Sequence, residues 1–75
     1  MKAICLGTET YSNGAGTREF MRLRTESGRI EECTRYQYID GATRFETSAD
    51  YGRELAPEEH DKNRAEIIAA FLKLI

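Results

Sequence analysis

The residues of this sequence that could act as nucleophiles are two cysteines, Cys5 and Cys33. A cysteine reacts as its thiolate, and it needs a neighbouring base or positive charge to reach that form at neutral pH. His60 is the only histidine, and it falls in a predicted helix that lies on the other side of the predicted sheet from both thiols. The sequence therefore predicts no catalytic residue, and we expect both cysteines to be free thiols.

The sequence supports neither metal binding nor acid–base catalysis. A metal site needs several ligands that converge in space, and helical spacing brings only Arg64 beside His60. Glu19 and Glu32 are predicted on the apolar face of the sheet, where we expect them to reach water at its rim. We therefore expect no metal, no cofactor and no enzymatic activity.

Arginine is the residue type here that is best suited to recognition. Its planar guanidinium group makes bidentate contacts with carboxylates, phosphates or guanine. Six of the eight arginines, Arg29 among them, are predicted on one face of the sheet with four glutamates, which gives that face a net charge of +2 and leaves −4 for the rest of the chain. This face is either a solvated surface held by ion pairs or a recognition surface. The partner-binding residues predicted on it are Arg18, Phe20, Arg22, Arg24, Arg35 and Arg44.

Three turn signals, Asn13-Gly14, Ser27-Gly28 and Asp40-Gly41, determine these faces. Such pairs are typical of tight hairpins, and they predict a four-stranded antiparallel meander with strands over about 2–11, 17–26, 29–39 and 42–48. Two-residue loops would place Met21 opposite both Leu6 and Thr34, and a four-residue first loop would change the partners but not the faces. The predicted apolar face holds Ile4, Leu6, Met21, Leu23, Ile30, Tyr36, Tyr38 and Phe45.

The C-terminal part of the chain predicts one helix over about 57–74. Pro57 suits the first helical position, acidic residues follow it, and Lys73 lies in the last turn. The whole is an α+β fold, a single ββββα domain over residues 1–75 with the helix packed on one face of the sheet. A stripe of Ala65, Ile68, Leu72 and Ile75 is predicted to face the sheet. Ile67, Phe71 and Leu74 then point away from it, where either the preceding loop covers them or they form the self-association surface of a homodimer.

The length, charge and hydropathy of the chain restrict the classes of function that it can have. The chain has 75 residues, a formal net charge of −2 and no apolar run that could span a bilayer. The few residues before Gly7 do not make a secretion signal, so we expect a cytoplasmic location. We expect a small non-enzymatic binding protein that acts by stoichiometric protein–protein contact. It would be an inhibitor or regulator of a nucleic-acid-handling partner, of the type that mobile elements carry.

Two further expectations concern how such a partner could be bound. An acidic set at the helix start could imitate phosphates; it consists of Asp50, Glu54, Glu58, Glu59 and Asp61. The alternative function is nucleic-acid binding through the arginine-rich face of the sheet, although an overall negative charge argues against unspecific nucleic-acid binding.

Overall fold

The computed structural model describes residues 1–51 and 56–75, and it contains one antiparallel sheet with strands in the order β1-β2-β3-β4. The strands are β1 (Ile4–Asn13), β2 (Gly16–Arg24), β3 (Ile30–Tyr38) and β4 (Thr43–Thr47). A 3₁₀ turn at Ser48–Asp50 follows, and the chain ends in the helix α1 (Pro57–Leu74). The α+β class, the four-stranded meander and the C-terminal helix predicted from the sequence are confirmed.

Two of the three loops are longer than the predicted two residues. The first hairpin closes through Gly14 and Ala15, with Asn13 paired to Gly16. The second spans Thr25–Arg29, whose ends are joined by a hydrogen bond of 2.8 Å from the Thr25 amide to the Arg29 carbonyl. The third spans 39–42. Gly28 and Gly41 both have φ of +93°, which explains why glycine stands at these two turns.

The longer second loop changes the pairing of β2 with β3. Met21 lies opposite Cys33 instead of Thr34, so the predicted register was wrong by one residue. Because side chains alternate between faces, a slip of one residue moves every side chain of a strand to the other face. Residues predicted in the core, Ile30, Tyr36 and Tyr38, therefore lie on the face away from the helix. The register of β3 with β4 was also wrong by one residue, and the two errors cancel, so Phe45 packs on the helix side as predicted.

The first strand departs from the prediction near its start. Ser12 pairs with Thr17 and Thr8 with Met21, which are the partners that the alternative four-residue first loop predicted. An irregularity between Cys5 and Gly7 then shifts the register, and Ile4 pairs with Arg24. Ile4 and Leu6 are consequently exposed, not in the core.

The helix presents the opposite stripe from the one predicted. Ile67 and Phe71 are completely buried and Leu74 packs against the core, whereas Leu72 is 48% exposed. The prediction that these three residues point away from the sheet was wrong, and they are not available as the predicted self-association surface. The physical reason is that the sheet leaves room beside Phe45 for the ring of Phe71. The two rings pack edge-on, with centres 6.2 Å apart. The buried hydrophobic core consists of Met21, Leu23, Cys33, Ile67, Ala70 and Phe71.

The orientation of the helix can be tested with two neighbouring residues. We expect Phe71→Leu to lower the free energy of unfolding by about 2 kcal/mol, because it leaves a gap in the core. Leu72→Ala should change it by less than about 0.5 kcal/mol, because Leu72 is half-exposed. Urea denaturation of both variants measures the difference, and a larger loss of stability for Leu72→Ala would contradict this helix orientation.

The close approach of strands at Gly16 gives a second test. Its φ is +150°, and a Cβ atom there would overlap the Gln37 carbonyl oxygen. We expect Gly16→Ala to destabilise the protein by about 2 kcal/mol through strain and displacement of β3. Gly14→Ala is the matched control, since nothing lies within 4 Å of the added methyl group. Equal thermal stability of the two variants would contradict the described hairpin.

Candidate binding surface

The face of the sheet away from the helix carries a row of four alternating tyrosines and arginines, one on each strand. Tyr11 pairs with Arg18, Arg18 with Tyr36, and Tyr36 with Arg44, so the four side chains are direct neighbours across the sheet. The guanidinium carbon of Arg44 lies 4.4 Å from the centre of the Tyr36 ring, and that of Arg18 lies 5.7 Å from the Tyr11 ring. Both distances are those of cation–π contacts. We call these four residues the Tyr–Arg row.

Further aromatic side chains extend this row in both directions along the strands. The Tyr38 ring stacks on Tyr36 with centres 6.4 Å apart, and its hydroxyl accepts a hydrogen bond of 3.4 Å from Arg44 Nε. On the other side, Phe20 borders a shallow depression of about 560 Å³. The residues that line the depression are Glu9, Thr10, Tyr11, Arg18, Phe20, Thr34 and Tyr36. The open face thus offers aromatic surface and guanidinium groups side by side.

The charge of this face is nearly balanced. Strand pairing places Arg18, Arg22, Arg24 and Arg44 on it together with Glu9, Glu32 and Glu46, a net charge of +1. A hydrogen bond from the Tyr51 hydroxyl, followed by one from Arg44, holds the pKa of Glu46 below its ordinary value. Glu46 is therefore ionised at neutral pH, and the face is an ordered array of both signs of charge.

Five of the six predicted sheet-face residues share this surface, and one does not. Arg18, Phe20, Arg22, Arg24 and Arg44 lie together on the open face. Arg35 was predicted there and lies on the helix side, where its Nη2 donates to Glu19 Oε1 at 2.7 Å and its guanidinium group packs on the Phe71 ring. Arg29, also predicted on that face, is bound instead to Glu66 of the helix.

Sequence reasoning missed the tyrosines of the row. Tyr36 and Tyr38 were predicted in the core, and Tyr11 was assigned no role. Charge pairing could not have found them, because the observed register pairs Glu19 with Arg35 and Arg22 with Glu32, and the predicted register also makes two such pairs, Arg24 with Glu31 and Glu26 with Arg29.

The acidic set at the helix start is divided by the structure. The Thr47 amide donates to Asp50 Oδ2 at 2.8 Å, and His60 Nε2 and Arg64 Nε lie 3.1 and 3.3 Å from Asp50 Oδ1. Asp50 therefore joins the 3₁₀ turn to the helix and is not a free charge. Glu58, Glu59 and Asp61 are exposed on the first turns of α1, and Glu54 lies outside the described residues.

The two cysteines lie in different environments. Both are free thiols, as expected, but they do not share the open face: Cys33 is buried beneath the helix and Cys5 is exposed. Burial raises the pKa of Cys33 to about 11, so its thiol is protonated at neutral pH. Within residues 1–51 and 56–75, no three His, Cys, Asp or Glu side chains converge as metal ligands, and no helix there has the length and apolarity to cross a membrane.

The contacts of Asp50 predict a specific dependence of stability on acid pH. Burial alone would raise its pKa, but the hydrogen bonds from Thr47 and His60 and the charge of Arg64 hold the pKa below its ordinary value. The resulting stabilisation is complete above the unfolded-state pKa of about 3.9 and is lost as pH falls through the lower folded-state pKa. We expect Asp50→Asn to cost about 1 kcal/mol near pH 6 and progressively less below about pH 4.

Urea denaturation over a pH series measures this difference between the wild type and Asp50→Asn. Asp61→Asn is the matched control, because its side chain is 83% exposed and its removal should change little at any pH. A difference for Asp50→Asn that persists undiminished at the lowest pH would contradict the assignment.

The open face and the exposed acids of the first helical turns are therefore the two candidate surfaces that sequence and structure have in common. No protein-family model, curated protein or solved structure matches this chain. The function of the protein is therefore inferred from the chemistry of these two surfaces.

Proposed function

We propose that this chain is a small non-enzymatic binding protein whose open sheet face docks a protein partner. The observation that carries the proposal is the Tyr–Arg row, which crosses all four strands: Tyr11, Arg18 and Arg44 are exposed, and Tyr36 is half-buried between the two arginines. Tyrosine and arginine are, together with tryptophan, the residue types enriched at the energetic centres of protein interfaces. Here the tyrosines and arginines lie on a sheet whose other face packs against a helix. Their side chains therefore lose little conformational freedom on binding.

The charges of the face support a protein partner over a polyanion. Three glutamates accompany the four arginines, and the chain as a whole has a net charge of −2. A nucleic-acid surface gains its affinity by neutralising phosphates, and carboxylates within it oppose that gain. A protein surface with its own mixed charges can pair with both signs. The mode of action that fits is stoichiometric occlusion, as an inhibitor or regulator of the partner.

Nucleic-acid binding is a second candidate, favoured by one specific arrangement. Tyr11, Phe20, Tyr36 and Tyr38 present aromatic rings beside guanidinium groups, and single-stranded bases stack on such rings on the sheets of some nucleic-acid-binding domains. This candidate differs from the first in its salt dependence, because removing one phosphate-binding arginine lowers the salt slope of binding by about one.

The experiment isolates the partner and compares the two surfaces. The protein captures its partner from a nuclease-treated extract of its source cells, and the purified pair is studied by titration calorimetry. We expect Arg18→Ala and Tyr36→Ala each to weaken binding at least about tenfold, as at interface centres. The triple substitution of Glu58, Glu59 and Asp61 by lysine should leave affinity within a few-fold, since these residues lie on the first turns of the helix.

Two outcomes would overturn the docking proposal. Loss of binding in the triple lysine variant with Arg18→Ala and Tyr36→Ala unaffected would place the interface at the helix start. Capture that nuclease treatment abolishes, together with binding of an oligonucleotide that weakens steeply with salt, would favour the second candidate. Thermal melts of each variant distinguish weaker binding from a failure to fold.

A further inference from the structure

The first strand is an outer edge of the sheet with an unusual composition for that position. All ten of its residues are exposed, and its only strand neighbour among residues 1–51 and 56–75 is β2. Exposed edges are usually protected by charge, proline or shortness. From Gly7 to Asn13 the strand is regular, free of proline, and carries a single charged side chain, Glu9.

The pairing of β1 with β2 shows which backbone groups point outward. Asn13 and Gly16 flank a two-residue loop and pair directly, so they exchange both backbone hydrogen bonds. The alternation along the ladder then turns the amides and carbonyls of Glu9 and Tyr11 toward β2. Those of Thr8, Thr10 and Ser12 point outward, where another strand can bind them.

The opposite edge of the sheet is better protected. Strand β4 has five residues, and two of them, Arg44 and Glu46, are charged and paired with each other. It leads directly into the 3₁₀ turn. Of the two edges, β1 is the one on which six regular residues, Thr8–Asn13, can accept a further strand.

We propose that β1 pairs with β1 of a second copy of this chain, antiparallel and with Thr10 opposite Thr10. Charge complementarity favours β1 of a second copy as the added strand, and it favours the register with Thr10 opposite Thr10. Glu9 of each copy then lies opposite Tyr11 of the other, whose ring already carries the guanidinium group of Arg18 at 5.7 Å. The Glu9 carboxylate of each copy thus lies near the Tyr11 hydroxyl and the Arg18 guanidinium group of the other copy. Because the dimer is two-fold symmetric, this contact occurs twice. Centring the pair on Glu9 would instead set two carboxylates face to face, which is unfavourable.

The consequence is a continuous sheet of eight strands. Residues directly opposite each other in a ladder lie on the same face, so both open faces point the same way. The Tyr–Arg row of one copy is then continued by the row of the other copy that contains Glu9 and Phe20. A dimer of this kind presents two docking surfaces side by side and binds a two-fold symmetric partner with avidity.

Disulfide trapping tests both the dimer and its register. In a Cys5→Ser background, Thr10→Cys brings two thiols together across the symmetry axis at a Cα separation of about 5.5 Å, within disulfide reach. Ser12→Cys is the matched control, because the two introduced thiols would be about 14 Å apart along the strands. We expect mild oxidation to link Thr10→Cys into a dimer and to leave Ser12→Cys monomeric.

Sedimentation equilibrium of uncross-linked protein provides the independent measurement. We expect a concentration-dependent dimer. Thr10→Lys should raise its dissociation constant at least about tenfold, because it sets two ammonium groups opposite each other. Thr10→Val is the control, because it changes the same exposed position without adding a charge. A wild type that stays monomeric up to submillimolar concentration, equal cross-linking at both positions, or a dimer insensitive to Thr10→Lys would each overturn the proposal. None of these outcomes would affect docking on the open face, which the Tyr36 variant, at a residue outside the dimer contact, tests separately.

Discussion

The loop from Thr25 to Arg29 determines which side chains face the helix and which face outward. The Thr25 side chain is completely buried, and its hydroxyl oxygen accepts a hydrogen bond of 3.1 Å from the Arg29 amide. Ser27 in the same loop donates to Glu66 of the helix at 2.7 Å. The loop is therefore closed by its own backbone and held against α1. Its five-residue length sets the register of β2 with β3, and one residue more or fewer would exchange the two faces of β3.

Both sides of the sheet depend on that register. On the helix side it places Cys33 beside Met21 and Arg35 beneath Phe71, and the guanidinium group of Arg35 is neutralised by Glu19. On the open side it brings Tyr36 between Arg18 and Arg44. The core and the Tyr–Arg row are thus two results of one pairing.

The small size of the core explains why so much of this chain is available for contacts. Only six hydrophobic residues are buried among those described, and large apolar side chains such as Tyr11, Ile30 and Leu72 are exposed. A single helix covers one face of a four-stranded sheet and leaves the other uncovered. In a chain of 75 residues the ratio of surface to volume is high. The two contacts that we propose, one with a partner on the open face and one with a second copy at the β1 edge, both lie on this exposed surface.

Local sequence signals were sufficient for the elements of the fold. Glycine at the three turns, proline at the first helical position and alternation along the strands predicted four strands and a helix whose bounds, 57–74, agree with the structure. Five of the six predicted sheet-face residues also lie together. Four of them are on β2, whose alternation does not depend on β3, and Arg44 of β4 joins them because the two register errors cancel.

The tertiary structure decided the loop lengths, and with them the faces of β3 and the rotation of the helix. A turn signal shows where the chain reverses, but Ser27-Gly28 is compatible with a loop of two residues or of five, and these loops give opposite faces. Ile67, Phe71 and Leu74 form an apolar stripe as good as Ile68, Leu72 and Ile75. Only the space beside Phe45, created by the sheet itself, selects Phe71 for the core. The sequence by itself determined which elements form, and packing between elements determined which of their side chains are buried and which are exposed.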